Sequence, residues 1–376
     1  MRKAMASLAV FGMLATGGLS ACTGDDGDGG AANGSGGTKT NATGKGGVGI
    51  IMPDKTSSQR WVSDDPKYLA EAFKAAGVPA DIQNADGDKT RFVQIGESMI
   101  AGGVKVLMLT NLDSPSAKIL LDKAKAAGIK TIDYDRLTLN GGADYYVSFD
   151  NKAVGVLQAT ELTKCIAAQN YTNPVIAELN GSPTDNNATE FKAGYDEVLQ
   201  PLYDAASYTK GPDQSVPDWK NDQAGQIFTQ MFAQQPRIQG VVAANDGLGN
   251  AVIEVLRKKK LNGKVPVTGQ DATVQGLQNI LLGDQCMTVF KNTKDQANKA
   301  AELAIKLYNG EQPTTVEQQK DVESGAYVPF VSLQPKAITK DKINTVIEAG
   351  YATYADVCKG KFAELCEENG IVNPKP

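Results

Sequence analysis

The sequence predicts an α/β protein of two domains, each a parallel sheet covered by helices on both faces. Three observations carry that reading. Short apolar runs alternate with segments of helical period from Val48 onward, the alternation starts afresh after Asp150, and about 330 residues follow the N-terminal 47, more than one core usually serves.

At the N-terminus, Arg2 and Lys3 precede an apolar stretch, residues 4–15, too short to span a bilayer, and Leu19-Ser20-Ala21-Cys22 follows it. That order reads as a signal peptide over residues 1–22. Small residues before a cysteine resemble the bacterial lipobox, whose cysteine becomes the lipidated first residue of the mature protein, so Cys22 is the expected lipid attachment. The alternative is an ordinary signal peptide with a chance cysteine. Residues 23–47 hold Asp-Gly-Asp-Gly-Gly, Asn-Gly-Ser-Gly-Gly and Gly-Lys-Gly-Gly with almost nothing apolar, the composition of a flexible tether. Asp25, Asp26 and Asp28 belong to this solvated linker, since no rigid frame holds them as a cation site.

The first unit opens with Val48-Gly49-Ile50-Ile51-Met52-Pro53 as a strand and Tyr68-Leu69-Ala70-Glu71-Ala72-Phe73 as a helix running to Gly77. Then come a strand at Ala80-Asp81-Ile82-Gln83, a helix at about 92–101, a strand over 104–109, a helix at about 116–127 and a strand over 131–134. After Tyr145-Tyr146-Val147-Ser148-Phe149-Asp150 the second unit places strands at 175–179, 240–244, 265–268 and 287–290. A late helix over 297–307 carries Ala297, Ala300, Ala301 and Ala304 at core-facing spacing. The crossing at Phe149-Asp150 lacks Gly and Ser and reads as strand running into helix, which suits a stiff hinge. Open parallel sheets bind ligands beyond the carboxyl ends of their strands, so two facing units place a site in the cleft between them.

The formal charge is −5, and the only basic run, Arg257-Lys258-Lys259-Lys260, falls where a helix should end and suits the helix dipole, so no nucleic-acid partner is expected. With Cys22 lipidated, four cysteines remain, and four allow three pairings. Cys165 with Cys286, joining a helix end to a strand start in one domain, and Cys358 with Cys366, close in sequence, are the favoured pairs; buried free thiols are the alternative.

Histidine is absent from the sequence, which removes Ser-His and Cys-His nucleophile pairs and His-ligated metals. Neither Gly-x-Ser-x-Gly nor a Walker loop is present. Gly44-Lys45-Gly46-Gly47-Val48-Gly49 spells Gly-x-Gly-x-x-Gly but precedes the first strand instead of following it. Asp86-Gly87-Asp88-Lys89-Thr90 with Glu97 imitates a calcium loop, yet Arg91 stands where the sharp-turn glycine belongs, and the segment reads as a loop in which Asp88 or Thr90 caps the next helix. No metal or cofactor is expected.

Polar and aromatic residues gather at the strand ends: Arg60-Trp61, Asp135-Arg136, Ser182-Pro183-Thr184-Asp185-Asn186-Asn187, Trp219, Asn245-Asp246, Gln270-Asp271 and Lys291. Singly, each has a structural use, with Asp185, Asn186 or Asp246 capping a helix and Trp61 or Trp219 in a core. Jointly they supply what a sugar needs, namely planar charged or amide groups for paired hydroxyl contacts and aromatic plates for the ring faces.

At these residues the chain resembles the type I periplasmic sugar-binding proteins of ABC importers, in their xylose-binding and multiple-sugar-binding branches. The resemblance runs from about Val48 to Lys342. It is carried by Arg60-Trp61, Ile132-Asp133-Tyr134-Asp135-Arg136-Leu137, Ser148-Phe149-Asp150-Asn151, Gly181-Ser182-Pro183-Thr184-Asp185-Asn186-Asn187-Ala188, Asn245-Asp246, Gly269-Gln270-Asp271-Ala272 and Thr288-Val289-Phe290-Lys291. It implies two Rossmann-like domains joined by a three-segment hinge and closing on an aldopyranose. The domains are expected at 48–149 plus about 293–325, and at 150–292 plus about 326–336, with 337–376 a C-terminal helix and disulfide-bearing tail. Arg60, Arg136, Asp185, Asn187, Asn245, Asp271 and Lys291 are implied to hold hydroxyls and Trp61 and Trp219 to stack, with Asp135 a further contact. Ser215 stands about where the xylose type carries an extra tryptophan, which leaves the sugar open, and the tail from Tyr354 departs from the family and bears on stability. The expected protein is a monomeric, membrane-anchored receptor on the outer face of the cell, with a monosaccharide and an importer permease as partners. Two rivals are a sensor presenting sugar to a signalling receptor and a secreted sugar-acting enzyme using Asp185 and Asp271 as acid and base. A gene regulator of similar fold is disfavoured, because the signal peptide occupies the place of a DNA-binding head.

Overall fold

The computed structural model describes residues 46–315 and 317–373; the expected signal peptide, Cys22 and all but the end of the tether lie outside the described residues. The first layer opens with β1 (Val48–Met52), α1 (Asp64–Ala75), β2 (Ala80–Asn84), α2 (Lys89–Ala101), β3 (Val106–Leu109), α3 (Ser114–Ala126), β4 (Lys130–Tyr134) and β5 (Tyr145–Phe149). These strands pair in parallel in the order β2-β1-β3-β4-β5. Both faces are covered, which is why β1 reads as an unbroken apolar run. Val48, Ile50 and Met52 pack with Leu69 and Phe73 of α1 on one side, while Ile51 joins Phe92 of α2 and Leu120 of α3 on the other.

The chain then enters a second layer through Asp150, which caps α4 (Asn151–Ala168) by accepting from the Ala153 amide, so strand does run directly into helix here. There follow β6 (Val175–Asn180), α5 (Asn186–Asp204), β7 (Thr209–Ser215), α6 (Asn221–Gln234), β8 (Ile238–Ala243), α7 (Asp246–Lys258), α8 (Val274–Leu282) and β9 (Thr288–Phe290). Strands β7-β6-β8 form a parallel sheet. The strand expected over 265–268 is reduced to a single bridge, Val241 to Val267. Pro266 has no N–H to donate, and Val267 and Gly269 spend their carbonyls on the Cys286 and Val289 amides instead. Cys165, near the end of α4, is bonded to Cys286, two residues ahead of β9.

A second crossing returns the chain as α9 (Thr293–Tyr308), whose Ala297, Ala300, Ala301 and Ala304 pack on the first sheet. The chain continues as β10 (Glu317–Lys320) and β11 (Tyr327–Leu333). Here the structure corrects the domain boundary: β11 pairs in parallel with β5, so residues from 326 extend the first sheet instead of entering the second layer. Only β12 (Lys336–Ile338), after a third crossing, reaches β9. The tail adds α10 (Ile343–Glu348), α11 (Tyr354–Val357) and α12 (Phe362–Glu368), closed by the bond between Cys358 and Cys366. Three crossings thus join two Rossmann-like layers.

α1 and α2 begin earlier than their apolar periods suggested. Asp88 supplies the cap for α2, accepting from the Thr90 and Arg91 amides, and Asp86 of the calcium-like loop is paired with Lys55 and Arg91. The basic run after Arg257 closes α7. Among the described residues no helix is long and apolar enough to cross a membrane.

α4 and α5 touch backbone to backbone where Gly155 meets Gly194: a Cβ on Gly155 would stand 1.9 Å from the Phe191 carbonyl oxygen. That contact seats the start of α5, which carries Asn187 and Phe191. Gly155→Ala is therefore expected to lower stability by about 1–3 kcal/mol through overpacking, measured by urea denaturation.

Candidate functional site

Every residue singled out at the strand ends lies beyond the carboxyl end of a strand or of the 267–269 segment, where a doubly wound sheet opens its crevice. Arg60 and Trp61 form a short 3-10 turn after β1, Asp135 and Arg136 follow β4, and Asp185 and Asn187 start α5 after β6. Trp219 follows β7, Asn245 follows β8, and Lys291 follows β9. These nine and Asp271 line one pocket together with Ser57, Ser58, Phe191 and Gln270.

Arg60 is 2 % exposed and fully engaged on one side. Its Nε and Nη2 bond both oxygens of Asp65 (2.8 and 2.6 Å), Nη2 also reaches Gln296 Oε1 (2.6 Å), and Nη1 reaches Asp135 Oδ2 (2.8 Å). Four of the five guanidinium N–H groups are thus committed, leaving one on Nη1. Asp65 also accepts from the Tyr134 hydroxyl. Burial works against the Arg60 charge, but Asp65 and Asp135 outweigh it and hold the guanidinium protonated.

Asp135 adopts the left-handed conformation (φ +67°), which turns its carbonyl toward three donors: Tyr146 Oη (3.0 Å), Ser148 Oγ (2.8 Å) and Asn187 Nδ2 (3.0 Å). Burial pushes its carboxyl up, yet Arg60, followed by Lys291 and Arg136, holds it down at about 2. Arg136 pairs through Nε with Asp185 Oδ2 (3.0 Å) and through Nη1 with the Asn111 carbonyl (3.0 Å). Asp185 caps α5 through the Asn187 amide and accepts from Trp219 Nε1 (3.1 Å). Burial raises its pKa, opposed by Arg136 and reinforced by Asp135.

Both tryptophans are buried, and neither is only core. The Arg60 guanidinium lies over the Trp61 ring at 4.2 Å and that of Arg136 at 5.7 Å, so Trp61 is a plate that orients two cations. Trp219 stands edge-on to Phe191 with ring centroids 6.4 Å apart. It packs so tightly on Gly181 that a Cβ there would come within 2.0 Å of the indole. On the far wall Lys291 Nζ is 3.5 Å from Asp271 Oδ1, its one ion-pair contact within 4 Å among the described residues, and Ser58 Oγ reaches Asp271 Oδ2 at 3.4 Å from the first layer.

One capping expectation shifts by one residue. Asp185 caps α5, as one of the capping readings expected, whereas α7 is capped by Asn245 through the Leu248 amide and not by Asp246. Asp246 is buried behind the site, accepting from Thr273, Gln285 and Thr288. Sequence reasoning missed Asp65, Gln296 and Phe191. Phe191 sits one helical turn after Asn187 on the same face of α5, a spacing that points to it once Asn187 is chosen. Nothing local marks Asp65 or Gln296.

Two α/β layers, three crossings and a polar cleft at the carboxyl ends of both sheets define a type I periplasmic binding protein. The chain belongs to the periplasmic binding protein domain family, matched over residues 48–312. It is 36% identical to the D-xylose-binding periplasmic protein of Escherichia coli strain K12 over 311 residues, 81% of this chain and 90% of that protein. It is 33% identical to the multiple sugar-binding periplasmic receptor ChvE of Rhizobium radiobacter over 326 residues, 82% and 92% of the two chains. Among solved structures, a carbohydrate transporter solute binding protein from Chloroflexus aurantiacus in complex with D-glucose superposes with a TM-score of 0.75 at 27% identity, covering 83% of this chain and 98% of that one.

Removing one partner of a buried ion pair leaves an uncompensated charge. Asp65→Ala is accordingly expected to destabilise the protein by about 3–5 kcal/mol, read by chemical denaturation. The Asp135 carboxyl lies below its ordinary 3.8, so its stabilising contribution is present above that pH and is lost as pH falls through about 2. The Tm difference between the native protein and Asp135→Asn should therefore shrink as pH is lowered toward 2, measured by calorimetry across that range.

Proposed function

We propose that this protein captures a monosaccharide, an aldopyranose of the xylose or glucose/galactose type, in the cleft and delivers it to the permease of an ABC importer. The observation that carries the reading is the charge balance of the lining. Arg60, Arg136 and Lys291 face Asp65, Asp135, Asp185 and Asp271, and nearly all of them are spent on one another. Such a lining has little net charge to offer an ion, but it presents fixed donors and acceptors to a neutral polyol. Still available are the last Nη1 hydrogen of Arg60, the free side of the Arg136 fork, the Lys291 ammonium and the buried, unpartnered Gln270 Oε1. Trp61, Trp219 and Phe191 supply the apolar faces.

Binding fits this constellation better than turnover. Asp185 already accepts from Arg136, Trp219 and the Asn187 amide, and Asp271 is paired with Lys291, which leaves neither as a free acid or base. Arg136–Asp185, Asn187–Asp135 and Ser58–Asp271 each join the two layers, so a sugar held by one layer gains partners from the other as the cleft closes. The lipobox-like Leu19-Ser20-Ala21-Cys22 supports a lipoprotein on the outer face of the membrane, and a tethered monomer is the simplest form it would take.

A calorimetric screen of the soluble protein against xylose, glucose, galactose, arabinose, ribose and fructose tests the reading; no heat and no Tm rise with any of them would defeat it. With the preferred aldose, Asp271→Ala should weaken binding by about 1.5–3 kcal/mol, roughly 10- to 150-fold, because it removes a charged hydrogen-bond partner and leaves Lys291 unpaired.

A further inference from the structure

Residues 343–373 follow the matched family segment and fold over α8 and β9. Their apolar side chains, among them Ile343, Val346, Ile347 and Val357, share one core with Ala272 and Phe290. These two residues are the immediate neighbours of Asp271 and Lys291. Tyr351 packs its ring against Phe290 in a tilted arrangement, with centroids 5.3 Å apart and planes at 58°. Gln278 of α8 ties the module down by donating to the carbonyls of Asp356 and Val357 at 3.1 and 3.2 Å.

The segment under the module is strained. Asp271 has φ +95° and Ala272 φ +46°, two successive non-glycine residues in the left-handed region. Such conformations persist only where surrounding packing over-determines them. From the cleft side the strain is held by two hydrogen bonds, Asp271 N to the Val289 carbonyl (2.8 Å) and Ala272 N to Thr288 Oγ1 (3.1 Å). Ala272, which is 0 % exposed, lies in the apolar core that α8 shares with the module. The Tyr351 hydroxyl also feels both layers: burial raises its pKa well above the ordinary value, Asp271 and Asp64 raise it further, and Arg60 opposes them.

We propose that the C-terminal module is a positioning element for the Asp271–Lys291 pair, acting through Tyr351 on Phe290 and through the packing on Ala272. Its effect on sugar affinity rests on the function proposed above; its effect on the strained segment does not. The module thereby has a role at the site in addition to stability.

The test compares Tyr351→Ala with Tyr351→Phe, which keeps the ring, and with Ile371→Ala, which trims the module beside the Cys358–Cys366 disulfide. Two readouts are taken well below Tm: hydrogen exchange of the Asp271 and Ala272 amides, and calorimetric Kd for D-xylose and D-glucose. Tyr351→Ala is expected to speed exchange at both amides about tenfold and to weaken binding about tenfold. Tyr351→Phe should match the native protein, and Ile371→Ala should lower Tm while leaving both readouts within about twofold. If Tyr351→Ala lowers Tm but leaves exchange within about twofold of native, the module is only a stabiliser and the proposal is overturned. If the native protein binds neither sugar, the exchange readout alone decides the positioning role, and it is the sugar reading that is put in question.

Discussion

Charge buried at the floor of the cleft must be neutralised in place, and much of the architecture around the site serves that requirement. Arg60 lies almost wholly out of water between Asp65, Asp135 and Gln296. An unpaired guanidinium there would cost several kcal/mol, so its partners cannot be supplied casually. They come from α1, from the turn after β4 and from α9, a helix that reaches the first layer only after the chain has built most of the second. The return crossing is thus a condition for a stable Arg60 as well as a feature of topology.

The same economy extends across the cleft. Asp135 is held by Arg60 on its own layer and touched by Asn187 from the other, while Arg136 projects from the first layer onto Asp185 of the second. Groups that line the cavity are therefore also the groups that join the layers. On the function proposed above, recognition and closure would draw on this one set of hydrogen bonds. The tryptophans act within this set, Trp61 as a plate under two guanidinium groups and Trp219 as the donor that steadies Asp185.

Opposite the cleft, the strained turn at Asp271 and Ala272 fixes where a carboxylate of the cleft lining points. β9 and Thr288 secure its amides, and the tail closes over its back. Local backbone cost at this turn is met by packing from residues some 70 or more positions downstream, as the separations of Gln278 from Asp356 and Val357, 78 and 79, illustrate.

Much was legible in the sequence because the signals were local. Unbroken apolar runs such as Val48-Gly49-Ile50-Ile51-Met52 mark strands covered on both faces, alanines at helical spacing mark α9, and polar clusters directly after strands mark the cleft, since in this topology the carboxyl end of a strand is the open end. What stayed hidden was set by partners far along the chain. β7, Thr-Lys-Gly-Pro-Asp-Gln-Ser, lies at a sheet edge with little burial and shows no apolar alternation. The residues over 265–268 have the composition of a strand, yet pair at only one position. β11 could have joined either sheet and was allotted to the first by register with β5. Gln296 carries no local mark because it fixes Arg60 from 236 residues away, and Asp65, although 5 residues from Arg60, becomes its partner only through how the turn after β1 meets α1. By itself, then, the sequence determined most of the apolar strands and the helices of the first unit, and which residues stand at the strand ends. Only the tertiary structure decided the allotment of strands to sheets and the pairing of buried charges, because those energies depend on distances that periodicity does not contain.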